Sequence, residues 1–218
     1  MWWYERAALD STYSAIIENQ CGDFARAQEL AEHGLEVARA HQLELWTTLA
    51  EIQYGWALAG QGKLADGIAA MQRGIAGWAK TGARAGTTFF YVGLAEAQLR
   101  AGEIDGAVAS LAMSEAMVAK NSEHFYEPEL VRVAVRVAHQ QGATAASLVP
   151  RLRAAVLQAE RQRAGSWSLR LASDLVELTR ETDLAPEAPA LLRRAIDAIV
   201  GGEGTADLAR ARALASPA

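Results

Sequence analysis

Four glycines, Gly22, Gly62, Gly102 and Gly142, stand forty residues apart, and a fixed period of that length marks an architecture in which each unit stacks on the next. The stretch from Leu45 to Ala79 shows what the unit is. Leu49, Ile52, Trp56 and Ala59 recur at spacings of three and four and so share one face of a helix. After Gln61-Gly62 the pattern restarts with Leu64, Ile68, Met71, Ile75 and Trp78, a second amphipathic helix folding back on the first. A single hairpin of this kind cannot bury both of its faces, so copies must stack.

The corners overlay as GDFARA, GKLADG, GEIDGA and GATAAS, a register without gaps. Five residues past each glycine stand Ala27, Gly67, Ala107 and Ser147, and twelve past it Gly34, Gly74, Ser114 and Ala154, all small. Seven residues are two helical turns, so each pair forms a stripe where a neighbouring backbone can approach. The glycine suits the left-handed conformation at a helix C-terminus. Residues 2 to 20 read as helix, and the first helices of later hairpins begin near Leu45, Thr87, Glu127 and Ser166, with Asn121 or Ser122 and Ser166 as N-caps. In the fifth hairpin RETDLAPEAP interrupts the helices, Pro186 and Pro189 lead into a helix from Ala190 to Val200, and Gly201-Gly202 ends it. Thr205 or Asp207 then caps a short last helix. VRVAVRVA at 131 to 138 alternates like a strand, but the surrounding register makes it helix. The expectation is an all-α, right-handed α-solenoid of about five helical hairpins, forming a single domain over residues 1–218.

Composition narrows function by exclusion. At 218 residues and 51% hydrophobic content, the chain can bury roughly 70–75% of its unfolded surface without staples. Cys21 is its single cysteine, which allows no internal disulfide and fits a reducing cytoplasm. The start, MWWYERAALDST, lacks the basic-then-apolar pattern of a leader, and no apolar run approaches the length of a membrane span. A net charge of −5 argues against general nucleic-acid binding. His33, His41, His124 and His139 show no ligand spacing, so no metal and no cofactor is expected. Pairs such as Glu29/Glu32 and Glu181/Asp183 read as solvated surface, and Gly201 to Gly204 follows a helix rather than a strand, unlike a phosphate loop. No acid, base and nucleophile set emerges, and the chain is not read as an enzyme.

Small residues at two fixed offsets in a helix-turn-helix unit resemble the tetratricopeptide repeat, although its standard unit is about 34 residues. More closely, GWALAGQGKLADGIAAMQRGIAGWAKTGA at 55 to 83, FFYVGLAEAQLRAGEIDGAVASL at 89 to 111, FYEPEL at 125 to 130, GSWSLRLASDLVEL at 165 to 178 and TADLARARAL at 205 to 214 resemble the C-terminal repeat region of bacterial adenylate/guanylate cyclase-ATPase fusion proteins. Related regions occur in LuxR-type ATP-binding regulators. The resemblance implies the C-terminal part of a longer signalling protein, with a regulatory role. It carries over no activity, since the sequence contains no GxxxxGK[ST] loop.

Stacking as in tetratricopeptide arrays would line a concave groove with the first helix of each hairpin. Its candidate residues are Tyr13, Ile52, Trp56, Glu96, Arg100, Arg132 and Arg136. Trp56 is singled out among Trp46, Trp56, Trp78 and Trp167, the others being assigned to packing. Arg132 and Arg136, four apart, reach one side and can grip a carboxylate or phosphate; the competing reading is an internal ion pair with Glu129 or Glu96. The groove is expected to bind a protein or peptide partner, the alternative being a small-molecule ligand in a sensor domain. Trp2, Trp3 and Tyr4 form an aromatic patch that an upstream repeat, another domain of the parent chain or a second copy in a homo-oligomer would cover.

Overall fold

A computed structural model describes residues 2–216 of the chain. Its elements run α1 (Trp2–Cys21), α2 (Phe24–Ala40), α3 (Glu44–Gly60), α4 (Leu64–Lys80), α5 (Thr87–Arg100), α6 (Ile104–Asn121), a 3₁₀ turn (His124–Tyr126), α7 (Glu127–Gln140), α8 (Ala145–Arg161), α9 (Gly165–Thr179), α10 (Ala188–Asp197) and α11 (Ala206–Ala215). There is no strand among the described residues. The first ten helices pair in sequence into hairpins, α11 packs on α9, and the residues gather into two compact units, Met1–Glu123 and His124–Ala218.

The four periodic glycines set the hairpin corners by one mechanism. Each lies in the left-handed region, with φ between 77° and 93°. Gly62 donates to Ala59 O and Lys63 to Leu58 O, which satisfies the last carbonyls of α3. The same two bonds recur from Gly22 and Asp23, from Gly102 and Glu103, and from Gly142 and Ala143. At the first three corners the residue after glycine is also the N-cap of the next helix. At the fourth, Thr144 intervenes as an extended N-cap and α8 begins one residue later.

That extra residue corrects the gapless register. Ala27, Gly34, Gly67, Gly74, Ala107 and Ser114 are all buried, whereas Ser147 and Ala154 are exposed. Leu148 and Ala155, one position on, are the buried pair of α8. The cap assignments need correction as well. Asn121 ends α6, Ser122 is its left-handed C-cap, and Ser166 lies inside α9, whose N-cap is Ala164. The helix expected over Ala190 to Val200 runs Ala188–Asp197. Thr205 does cap α11, accepting from the Leu208 amide.

In the first unit the second hairpin is glued backbone to backbone. A Cβ added at Gly55 would fall 2.7 Å from Gly67 O, one at Gly67 would fall 2.6 Å from Gly55 O, and one at Gly74 would fall 2.9 Å from Thr48 O. Glycine weakens a helix by about 1 kcal/mol relative to alanine, and here the close approach of α3 to α4 offsets that cost. The third hairpin is held from its far end. The Glu123 carboxylate accepts from the amides of Gly86 and Thr88, at 2.9 and 3.3 Å, and so caps the start of α5. The second unit has a core of its own around Leu152, Val156, Leu171, Leu175, Leu192 and Leu208.

Candidate functional site

Five of the expected groove residues belong to the first unit. Ile52 is completely buried; a side chain without exposure cannot touch a ligand, so its place is in the core and the expectation for it is corrected. Trp56 is half-buried, its ring 4.8 Å from that of Phe89 and laid over Gly93. That absence of a Cβ is what lets α5 come close to α3. Glu96 is half-buried and Arg100 exposed at the end of α5. Tyr13 is 52% exposed, with its ring 6.4 Å from Trp46.

Tyr13 belongs to a larger feature. Helix α1 buries Ala8, Thr12, Ala15 and Asn19, small or polar residues, and turns large ones outward. Trp2, Trp3, Tyr13 and Ile17 are 61%, 74%, 52% and 61% exposed. Trp2, Tyr13 and Ile17 lie in a row with Arg6 and Asp10, at spacings of three and four, on the side opposite the buried residues. Tyr4 points elsewhere and stacks on His41, the C-cap of α2. An apolar row of this size on one helix is the kind of surface that marks an interaction site.

Arg132 and Arg136 belong to the second unit. Arg136 is exposed, whereas Arg132 is 3% exposed and makes the internal pair. Its Nε donates to both oxygens of Glu129 at 3.0 Å, and its Nη1 lies 3.6 Å from Asp174. Arg132 is therefore corrected from groove to core. The pair opens into a network. Arg170 reaches Glu129 at 3.6 Å and Asp207 at 2.6 Å, and Arg210 donates to Asp174 at 2.6 Å and to Glu177 at 2.7 Å. Helices α7, α9 and α11 are joined by these alternating charges. Burial works against the charge on Arg170, but the carboxylates of Glu129 and Asp207 outweigh it and hold its guanidinium above its ordinary range. Arg210 behaves alike, burial being outweighed by Glu177 and Asp174.

This network was missed in the sequence, where Arg170, Asp174 and Glu177, or Asp207 and Arg210, look like ordinary exposed pairs within one helix. Spacing alone does not show that their partners lie on other helices. Chemically it is a clamp, since its guanidiniums already meet carboxylates. Among the described residues no group of three or more His, Cys, Asp or Glu side chains is arranged to hold a metal. No helix among them is long and apolar enough to cross a membrane.

The hairpin arrangement is similar to that of solved TPR-like repeat structures. One is a point variant of the nearly identical TPR-like repeats of a kinesin light chain-like protein from Podosopora anserina, with a TM-score of 0.55 and 20% identity over 87% of this chain and 92% of that one. A second structure of those repeats gives 0.51 and 19% over 94% and 93%. At such identities the likeness concerns the fold, which is that of tetratricopeptide-like helical repeats. No protein-family model matches the sequence, and no curated protein matches it.

Proposed function

We propose that the chain is a non-catalytic protein-interaction scaffold, and that the outer face of α1 is its principal contact surface. The observation that carries this reading is the inverted helix: α1 turns Trp2, Trp3, Tyr13 and Ile17 to solvent while burying small and polar residues. A helix with no role beyond folding gains nothing from that arrangement, and large aromatics dominate the energetics of interfaces. Trp56 and Arg100 extend the same reading as anchors for an extended peptide, apolar groups meeting the indole and acidic groups the arginine. The exposed Arg136 is read in the same way, as a contact for acidic groups. The resemblance to the C-terminal regions of bacterial cyclase-ATPase fusions and LuxR-type regulators supports a regulatory, cytoplasmic setting.

A peptide-display selection against the whole chain tests it. Peptides that bind and lose about tenfold or more affinity on Tyr13→Ala or Trp3→Ala support the scaffold. Failure to enrich any peptide, or binding indifferent to both substitutions, overturns it.

A further inference from the structure

We propose that the first unit holds a binding pocket for a small organic anion with an aromatic body and one carboxylate, of the arylacetate type. The cavity, of about 330 Å³, lies between the end of α4, the loop leading to α5, and the last turns of α6. Small-molecule sites span roughly 300–1,000 Å³, so this one, at the small end, suits a ligand built on one aromatic ring system.

Its walls are apolar and adaptable: Ile75 and Trp78 from α4, Tyr91 from α5, Met113 and Met117 from α6. Thioethers adjust to flat rings and interact well with them. The indole N–H of Trp78 is buried without an acceptor. Two cations, Arg84 and Lys120, complete the lining, and it contains no carboxylate. The acid that follows α6, Glu123, is engaged with the amides of Gly86 and Thr88. Lys120 stands in the last turn of α6, where a cation also complements the helix dipole. Arg84 stands in the loop and has no such duty.

The loop is shaped without a ligand. Gly82 and Gly86 take left-handed conformations that other residues disfavour, Thr87 donates to Arg84 O at 2.6 Å, and Glu123 fixes the far side. An apolar slot with a guanidinium and an ammonium at its lining, and no counterion of its own, selects an anion carried on an apolar ring.

The test is calorimetric titration of the full chain with phenylacetate and indole-3-acetate, beside phenylacetamide, phenethylamine and inorganic phosphate. Saturable binding of at least one arylacetate is expected, with the neutral amide weaker by about tenfold and the amine and phosphate not binding. Arg84 and Lys120 are exposed, so Arg84→Gln with Lys120→Gln keeps the fold, checked by circular dichroism, and lowers arylacetate affinity about tenfold. Met117→Trp fills the slot and removes binding. The proposal is overturned if neither arylacetate binds, if the amide or phosphate binds as well as the acid, or if affinity is indifferent to the paired glutamines.

Discussion

Gln42 and Arg163 do with a side chain what the corner glycines do without one. Both follow helices that end in the same pair of carbonyl-satisfying bonds, and both are held at positive φ, 55° and 57°. The left-handed conformation costs an L-residue roughly 1–2 kcal/mol. Gln42→Gly and Arg163→Gly should therefore each raise stability by about 1 kcal/mol after glycine's own entropy is counted, read as an increased urea midpoint. At the acid end, hydrogen bonding to Arg212 and then its charge hold the Glu203 carboxyl below the usual range. A depressed folded value contributes stability above the unfolded pKa, near 4.5, and loses it as pH falls through the folded one. Arg212→Gln should return Glu203 to an ordinary titration by NMR and remove at neutral pH the small contribution of this exposed pair. Residues such as the corner glycines were legible because a positive φ favours glycine and the glycines recur at a fixed period. The added Thr144 was not, because Ser147 and Ala154 are both small and satisfy the pattern, although the buried pair is Leu148 and Ala155.

Single helices were the most legible level, since apolar spacing and corner glycines place the starts of α3, α5, α7 and α9 within a residue of where they lie. Which side of a helix faces what was less so: Ile52 and Arg132 sit a fraction of a turn from exposed positions, and periodicity fixes a face only coarsely. Two contacts between elements are open to measurement. Gly74→Leu in α4 and Ala107→Leu in α6 push side chains into closed interfaces and should each cost about 1–3 kcal/mol; unchanged denaturation midpoints would contradict the packing described. In the ion network, Arg132→Met leaves Glu129 buried without its main partner and should cost about 3–5 kcal/mol. The paired change with Glu129→Leu should cost less than the sum of the single changes, and a double-mutant cycle measures the difference.

The whole chain holds two units with separate cores, so a fragment from His124 onward should be helical and melt in one transition by circular dichroism. An unfolded fragment would refute that independence. Within the first unit the backbone contact of α3 with α4 has a mechanical consequence. Stacked helices bend by compressing and shearing the layer of side chains between them, and where Gly55 meets Gly67 there is no such layer to deform. The second hairpin is the stiff member of its unit, and strain applied to that unit must be absorbed beyond it, at the joint between α4 and α5 where Gly82 and Gly86 turn the chain. Arg84 stands at that joint, so an anion seated beside it, as proposed above, would stiffen the joint as well as fill the slot.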